Sequence, residues 1–465
     1  MNTSIYTISA DEKEPKRLQL TYTFFPKKLG KQSILLPIWR PGRYQAQHFA
    51  KNIDQVIAKS ASGNSIEIFK SEPSVWNLSA EDLEPITLHY SYWAEQADAG
   101  GSVSSSEMLY INFINCCLFL KGTENQACEV RIDCLDFWQK ATALKNLNSF
   151  TWRAKSYREL VDSPFMAAPQ IASAKWKVGD VTFYAQGIVP QGFFTQKLLS
   201  AYQKISEFQL EWMKDFPVKN YRFLHWICPQ PFYHGVEHIN STMMVMGPED
   251  RDAYEDLIGL ASHELFHVWN IGTIRPKELL PYAYHKEVYF TTGGIVEGIT
   301  TYLGDWFLYA SGVWNREEYV ASLLGNLKLH FDRDGDSKQS LVESSIDLWM
   351  DGYGKSLPGK RVSIYYKGAL FALGLDLMIR RKFDDQKSIR EVMLLMNQRF
   401  GRLKRGYTME DFYAICEEVY EGSLRDFFQK WMEGNDCLLD ETNELLMHLG
   451  LKITRTENGL ISDSL

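Results

Sequence analysis

The segment His263-Glu264-Leu265-Phe266-His267 carries two histidines four residues apart, with a glutamate directly after the first. Residues at this spacing lie on one face of a helix, so both imidazoles can reach a single metal ion. Glu264 can then act as a base toward a water molecule at that ion. Since the chain has only 10 histidines in 465 residues, chance produces the pattern in about 1% of such sequences. The alternative is a pair of core histidines on a buried helix, but the spacing favours a hydrolytic zinc site.

A zinc site of this kind needs a third protein ligand and one open position. Glu297 is the best candidate, because it lies in the apolar segment 294–302, where an unpaired charge is costly and a metal would neutralise it. The alternatives are a glutamate paired with an Arg or Lys elsewhere, or His285 and Glu287 as ligands from what reads as a loop. No further His-rich signature follows His267, which disfavours the metzincin branch.

The composition is that of a soluble globular protein, with 45% hydrophobic and 23% charged residues. The net charge of -8 and the lack of a basic block argue against nucleic acid or an anionic membrane as a partner. The amino terminus has no apolar signal-peptide core, and the most apolar helical stretch, residues 369–379, is too short to span a bilayer. The seven cysteines lack paired spacing and indicate reduced thiols. The sequence therefore predicts a cytoplasmic protein.

The first third of the sequence has the two-residue periodicity of β-strands. Hydrophobic and polar residues alternate in several short runs, the clearest at residues 18–24, 86–92 and 128–134. Turn signals separate these runs, and Leu160-Val161-Asp162-Ser163-Pro164 reads as the exit from this part of the chain. We therefore predict an antiparallel, sandwich-like β domain over residues 1–165.

From residue 166 onward the periodicity becomes mainly helical. A strand is expected at residues 236–246, and a helix is expected from Gly294 to Gly312. Capping-box spacing marks three later helix starts: Asn315 with Glu318, Ser388 with Glu391 and, as a weaker variant, Thr408 with Asp411. These patterns predict a second domain over residues 166–440 that ends in a helical bundle. The tail, residues 441–465, is expected to hold one short helix and to be loosely ordered, and the fold class is multidomain α+β.

Three other segments carry a resemblance to a known family. Residues 36–44, Leu-Pro-Ile-Trp-Arg-Pro-Gly-Arg-Tyr, are similar to a Pro-x-Trp-x-Pro-Gly-x-Tyr signature. Residues 235–242 are similar to a Gly-Leu-Glu-His-x-Asn-Ser-Thr strand, and residues 363–369 contain a Tyr-x-Lys-Gly segment. With the histidine motif and the Glu297 segment, in the expected order over nearly the whole chain, the sequence resembles the glycyl aminopeptidase family. These enzymes are gluzincin zinc metallopeptidases and PDZ-bearing relatives of aminopeptidase N.

The resemblance implies a thermolysin-like catalytic domain with one Zn²⁺ ion per chain. His263, His267 and Glu297 would be the metal ligands, and Glu264 would be the general base. In this interpretation the zinc ion polarises the scissile carbonyl and the base deprotonates the attacking water. The metal site and the base thus coincide with the residues that the spacing already selected.

The resemblance also implies a substrate-binding strand that contains Gly235, Glu237 and His238. Glu237 falls where aminopeptidase N-like enzymes keep a glutamate for the free α-amine of the substrate, and a carboxylate on an edge strand can pair with that ammonium. Tyr365 would donate a hydrogen bond to the oxyanion. The alternatives are a structural glutamate and a core tyrosine, and Tyr366 is the obvious rival to its neighbour. Alignment to the Tyr-x-Lys-Gly pattern selects Tyr365, whereas chemistry alone does not choose.

The implied function is a zinc aminopeptidase that acts on peptides with a free amino terminus and a small first residue, such as Gly or Ala. Two rivals remain: an endopeptidase with the same zinc chemistry, and a catalytically silent peptide-binding protein that keeps the metal for stability. The intact Glu264 argues against the second, because a structural zinc site needs no base. The oligomeric state is not indicated by the sequence.

Two departures from the family pattern stand out. Members usually continue into a PDZ domain, whereas this sequence ends soon after Gly450, near where that domain would begin. In many zinc peptidases an acidic residue one turn after the glutamate ligand orients a histidine ligand. Here that position is Thr301, with Asp305 one turn further on, so the residue that orients the histidines is left open.

Overall fold

The chain begins with a series of short strands and continues as a five-stranded sheet covered by helices, which confirms the predicted α+β class. The computed structural model describes residues 3–249, 252–332, 338–351, 354, 357, 359–360, 362–456 and 459–464. One hydrophobic core runs from the strands of the first region into the helices of the second. Among the described residues, we find no helix with the length and apolar character needed to cross a lipid bilayer.

The strands of the amino-terminal region form three sheets. Their bounds are β1 (Ser4–Ala10), β2 (Arg17–Phe24), β3 (Gly30–Leu35), β4 (Ile53–Lys59), β5 (Ser65–Ile66), β6 (Ile68–Glu72), β7 (Val75–Ala80), β8 (Ile86–Trp93), β9 (Val103–Ser104), β10 (Leu109–Ile111), β11 (Phe119–Leu120), β12 (Cys128–Asp133), β13 (Gln139–Thr142), β14 (Lys145–Asn148), β15 (Thr151–Ala154) and β16 (Phe165–Ala168). An eight-stranded sheet has the order β14-β15-β12-β1-β2-β8-β4-β5, and two four-stranded sheets have the orders β11-β3-β7-β6 and β13-β16-β10-β9. The pairing is antiparallel as expected except between β1 and β12, which run parallel.

The burial of β2 shows why these segments form strands. Leu18, Leu20, Tyr22 and Phe24 are buried, and the residues between them are more exposed, so one face of the strand packs on the core. A short helix, α1 (Tyr157–Val161), then precedes the last strand of this region, and Ser156 caps it by accepting from the Glu159 backbone N–H.

The second region contains a mixed sheet with the order β17-β18-β19-β21-β20. Its strands are β17 (Ala172–Val178), β18 (Val181–Ile188), β19 (Asn220–Ile227), β20 (Phe232–His238) and β21 (Ser241–Gly247). The single strand expected at residues 236–246 is wrong: a turn at Ile239 and Asn240 makes this segment an antiparallel hairpin. The turn leaves β20 at the edge of the sheet.

Helices cover this sheet and extend into a bundle. Their bounds are α2 (Gln196–Met213), α3 (Tyr254–Phe266), α4 (Ile299–Ala310), α5 (Arg316–Phe331), α6 (Leu341–Asp351), α7 (Tyr366–Lys382), α8 (Ile389–Met396), α9 (Met409–Tyr420), α10 (Arg425–Phe428) and α11 (Leu439–Leu446). The three predicted capping boxes are present at the starts of α5, α8 and α9. The helix expected from Gly294 to Gly312 begins as a π-helical turn, Gly294–Gly298, and continues as α4. The tail is more ordered than expected, since β22 (Leu451–Thr456) and β23 (Gly459–Ser464) pair as a hairpin.

Candidate active site

Helix α3 carries the two motif histidines at its carboxy-terminal end, where it packs against α4. The point of closest approach is Gly304, where a Cβ atom would lie 3.3 Å from the His263 Cα. Ser262 Oγ donates to the Gly304 carbonyl oxygen at 2.7 Å and fixes the two helices relative to each other. Because Gly304 has no side chain, α4 comes close enough to bring Glu297 to the histidines.

Three side-chain donor atoms converge between these helices. His263 Nε2 and His267 Nε2 are 3.0 Å apart, and Glu297 Oε2 lies 3.8 Å and 3.3 Å from them respectively. The ligand atoms of the three residues all lie within 4.8 Å of one another, and the described part of the chain holds no second group of this kind. The structure therefore brings the three predicted ligands together, whereas the alternatives His285 and Glu287 lie outside the group.

The donor set and its surroundings fit a zinc ion. Two imidazoles and one carboxylate, with an open fourth position, are typical of hydrolytic zinc sites. Glu297 is 2% exposed, and within the described residues its ion-pair partners are the two imidazoles rather than a lysine or arginine. Tyr44 donates its hydroxyl to Glu297 Oε1 at 3.4 Å. A buried carboxylate in these surroundings costs free energy that a bound cation removes.

Asn270 ties together the two elements that carry the ligands. His267 Nδ1 lies 2.9 Å from the Asn270 carbonyl oxygen, so this nitrogen donates and Nε2 is left as the metal-binding atom. The Asn270 amide Nδ2 donates to the carbonyl oxygens of Ile295 and Val296 and to Thr300 Oγ1, at 2.8 to 3.0 Å. Asn270 was not recognised from the sequence, where its only signal was an asparagine in an otherwise apolar stretch.

The position that often carries an acidic residue in zinc peptidases has no such role here. Thr301 donates its hydroxyl to the Glu297 carbonyl oxygen at 2.8 Å, within the same helix. Asp305 instead accepts hydrogen bonds from two side chains of α5. The orientation of His267 thus comes from the main-chain carbonyl of Asn270.

The pKa values in the site depend on the balance between burial and neighbouring charges. Burial disfavours the charged form of Glu264 more than His267 favours it, and the pKa of Glu264 rises to about 8. For Glu297, burial is outweighed by the charge of His267 and by hydrogen bonds from both imidazoles, so the pKa falls to about 2. The same attraction outweighs burial at His267 and raises its pKa to about 10. These carboxylates therefore favour a positive charge between them, which a divalent cation supplies on binding.

Glu264 points toward strand β20. Its Oε2 atom is buried and has no hydrogen-bond partner among the described residues. The rest of the carboxylate lies against Gly235, where a Cβ atom would be 3.0 Å from Glu264 Cδ and closer still to Oε1. An ionisable oxygen that is buried beside a metal-ligand group, and that no protein group satisfies, is available to accept a proton from a reacting molecule.

Strand β20 forms one wall of the cleft through alternate residues. Tyr233, Gly235 and Glu237 lie on the face toward α3, and Glu237 pairs in register with Thr242 of β21. Glu237 Oε1 is buried and has no hydrogen-bond partner among the described residues. Burial raises the pKa of Glu237, with His267 opposing the shift. This edge strand therefore presents an unsatisfied carboxylate close to the metal-ligand group.

His238 lies on the other face of β20. Its Nδ1 is 3.0 Å from Asp162 Oδ1, and the neighbouring Ile239 backbone N–H donates to Asp162 Oδ2 at 3.1 Å. The alternation of side chains along a strand explains this, since Glu237 and His238 must point in opposite directions. The contact ties the end of β20 to the segment that leaves the amino-terminal region.

The loop after β3 reaches from the amino-terminal region into the cleft. Trp39 Nε1 donates to the Ala283 carbonyl oxygen at 3.0 Å, and its ring packs edge-on against Trp349 of α6. Gly42, which has a φ of 76°, lies against Glu237: a Cβ atom would be 2.8 Å from the Glu237 Cδ and closer still to Oε2. In the sequence, residues 36–44 stood out only as a family signature and were not assigned to the site.

Tyr365 and Tyr366 point to different places at the start of α7. The Tyr365 ring centroid is 6.4 Å from that of His263. Tyr366 instead lines a small cavity between α4, α5 and α7. The start of α7 is held against the Glu297 segment by two glycines, since a Cβ atom on Gly368 would lie 2.7 Å from the Gly298 Cα. Main chain therefore meets main chain at this contact.

Two family profiles match the sequence. The one described as the Peptidase M61 N-terminal domain matches residues 5–169, and the one described as M61 glycyl aminopeptidase matches residues 256–371. The second match spans both motif histidines, Glu297 and Tyr365. No curated protein matches the chain significantly.

Solved structures with a similar fold include two kinds of peptidase. An aminopeptidase N family protein from Idiomarina loihiensis is 26% identical, with a TM-score of 0.90 over 98% of this chain and 79% of that chain. An M1 zinc metallopeptidase from Deinococcus radiodurans has a TM-score of 0.56 at 12% identity, over 94% of each chain. A mutant of that metallopeptidase, bound to a Tyr-Ser-Ala substrate, matches with the same TM-score, identity and coverage. At this low identity, the second likeness concerns the fold alone.

Proposed function

Because this chain belongs to the M61 glycyl aminopeptidase family and is a zinc metallopeptidase, we propose that it removes single small residues, such as Gly or Ala, from the amino termini of peptides. The observation that carries the proposal is the Glu237 carboxylate on the edge strand, whose Oε1 atom is buried and has no hydrogen-bond partner among the described residues. An α-ammonium group satisfies such an oxygen through a charge-assisted hydrogen bond. Binding the first nitrogen of the peptide here would bring the first peptide bond to the metal.

His263, His267 and Glu297 would hold one zinc ion per chain through the three converging atoms. When bound, zinc acts as a Lewis acid on the scissile carbonyl and lowers the pKa of a water molecule toward neutrality. Asn270 would keep His267 in the tautomer whose Nε2 is a ligand, by accepting from Nδ1. The main-chain carbonyl oxygen of Asn270, in the turn that follows His267, would therefore orient this ligand.

Glu264 would take the proton from the attacking water and pass it to the departing amine nitrogen. The buried, unpartnered Oε2 atom supports this role, because no protein donor competes for it among the described residues. Tyr365 would donate a hydrogen bond to the oxyanion as the carbonyl carbon becomes tetrahedral. Its ring lies near that of His263, whereas Tyr366 contributes to the wall of the cavity between α4, α5 and α7, and this difference supports Tyr365 as the donor.

Strand β20 would hold the peptide backbone by adding the substrate as one more strand at the edge of the sheet. Gly235 and Glu237 lie on the face of β20 toward α3, which supports them as substrate contacts. His238 is directed to Asp162 on the other face, so in our proposal its part is to fix the end of the strand. The proposed partners are peptides with a free amino terminus.

The decisive experiment compares an Ala-initiated peptide with its N-acetylated form, using zinc-loaded protein. We expect only the free peptide to lose its first residue, and we expect Glu237→Gln to abolish this preference by removing the negative charge. Equal cleavage of both peptides by the wild type would identify an endopeptidase. Cleavage of neither, with stoichiometric zinc bound, would indicate a peptide-binding protein.

A further inference from the structure

Each of the two carboxylates that face the cleft rests against a glycine from a different segment. Gly42 belongs to the loop after β3 and contacts all three carboxylate atoms of Glu237. Gly235 belongs to β20, and a Cβ atom there would meet Oε1 and Cδ of Glu264 and also the Leu260 side chain of α3. At both positions an added Cβ atom would lie closer to a carboxylate oxygen than Cβ atoms come to other heavy atoms in proteins. A methyl group there must therefore displace a neighbouring atom.

We propose that Gly42 and Gly235 are positioning residues that set where the two carboxylates of the site lie. Gly42 supports the amine-binding carboxylate of Glu237 from behind, and Gly235 supports the base, Glu264. The inference rests on the proposed functions of those two glutamates. Through Gly42, the amino-terminal region would contribute to substrate binding, because this residue has no side chain.

When a methyl group is added at Gly42, we expect the Glu237 carboxylate to move rather than the loop. The loop is held on both sides of this residue, by the hydrogen bond from Trp39 to the Ala283 carbonyl oxygen and by the hydroxyl of Tyr44 on Glu297. Tyr44 and Trp39 are both fully buried. The Glu237 carboxylate, in contrast, is the end of a flexible side chain. Its displacement therefore costs the fold little and costs substrate binding more.

The two glycines predict different kinetic signatures. Gly42→Ala shifts the group that binds the α-amine, so we expect KM for a free Ala-initiated peptide to rise by about 100-fold, the usual cost of a displacement near 1 Å. Gly235→Ala shifts the base, so we expect kcat to fall by a similar factor of about 100, whereas any change in KM would reflect the place of Gly235 on the substrate-binding strand. A general loss of folding would lower the apparent kcat and the zinc content in the same proportion and leave KM unchanged, so kcat is referred to the zinc-loaded protein.

Matched glycines of this chain separate the contact from other effects of the substitution. Gly63 has a φ of 84°, close to that of Gly42, but a Cβ atom there meets nothing within 4 Å. Gly63→Ala therefore carries the same backbone strain without the carboxylate contact. Gly259 lies in α3, upstream of Glu264, also with open space around a Cβ atom. Gly259→Ala controls for a methyl group added to the helix that carries the base.

A double-mutant cycle ties the Gly42 effect to its contact. In the Glu237→Gln background the charge that binds the amine is gone, so Gly42→Ala should raise KM no further. Equal KM values for Gly42→Ala and Gly63→Ala, while Glu237→Gln still raises KM, would overturn the positioning role of Gly42 and leave the proposed function intact. A Glu237→Gln variant with unchanged KM would overturn the amine site itself and the inference with it. A Gly235→Ala variant that raises KM but keeps kcat would overturn the role of Gly235.

Discussion

The metal end and the amine end of the cleft are assembled in different ways. At the metal end the three ligands lie within residues 263–297, on two elements that Asn270 joins by hydrogen bonds. At the amine end Glu237 meets Gly42, which comes from the other region of the chain. Residues close in sequence supply all three converging atoms at the metal end, although Tyr44 of the amino-terminal loop also donates to Glu297. At the amine end the contact with Glu237 itself comes from the amino-terminal loop, so in our proposal the selection of substrate depends on contact between the two regions.

The largest effect should come from the base at the metal end. Glu264→Gln keeps the size of the side chain but cannot accept a proton, so kcat should fall by about 10²–10⁴-fold. Zinc binding should be retained, because Glu264 is not one of the converging ligands. Steady-state kinetics and zinc content by mass spectrometry measure the two properties separately. Unchanged turnover in this variant would rule out the proposed role.

The next effect tests whether α7 belongs to the metal end. Tyr365→Phe removes the proposed oxyanion donor and should lower kcat by about 10²–10³-fold with little change in KM. Tyr366→Phe is the matched control, since that residue lines the cavity between α4, α5 and α7. A larger loss in Tyr366→Phe than in Tyr365→Phe would exchange the two assignments.

Asn270→Ala tests how the metal end is held together. It removes the three hydrogen bonds from the Asn270 amide to the Glu297 segment, so we expect zinc affinity to fall by about 10–100-fold. Competition with a zinc chelator gives the affinity directly. Asn397→Ala is the control, because Asn397 is also buried but donates to Asp215. Equal zinc affinity in the two variants would show that Asn270 does not clamp the site.

A buried histidine outside the cleft sharpens the contrast with His267. His225 Nδ1 donates to the Gln186 carbonyl oxygen, which leaves Nε2 to accept from the Tyr202 hydroxyl, and burial lowers the pKa of His225 from 6.5 to about 4. A lowered pKa means that the unfolded chain binds the proton more readily below pH 6.5. The free energy of unfolding should therefore be unaffected above that pH and should fall by about 2 kcal/mol on acidification to about pH 5.

Denaturant titrations of the wild type and of His225→Gln at both pH values measure this contribution. The substitution should reduce the fall in stability, because the glutamine side chain does not titrate. An identical fall in the two proteins would mean that His225 is already charged in the folded state. The contrast with His267 would then be lost, because burial would not have lowered the pKa of His225.

The sequence predicted the metal end well, because its determinants are close in sequence. The spacing of the two histidines and the carboxylate in an apolar segment gave all three members of the converging group. Asn270 could not be recognised, since its role depends on which backbone carbonyls lie opposite its amide. The capping boxes were predicted for the same reason as the metal end: their partners are three residues apart.

At the amine end, the role of Glu237 stays a prediction. Resemblance to the family selected Glu237, but the role of Gly42 follows from docking that no local pattern records. The segment 236–246 was expected as one strand, because the turn at Ile239 interrupts the hydrophobic run only briefly. The hairpin at the end of the chain was missed because its strands are short and polar. In each case the sequence did not show which other segment would pack or pair with the residues concerned.

The contact between Gly298 and Gly368 has a mechanical consequence. Where helices meet through side chains, a change of rotamer can accommodate a small shift. Two main chains in direct contact have no rotamer to change. The segment that carries Glu297 and the start of α7, which carries Tyr365, therefore move as one rigid body. A shift at the start of α7 would therefore be passed on to Glu297 rather than absorbed at the contact, so a substitution that moves α7 should also disturb the metal-ligand group.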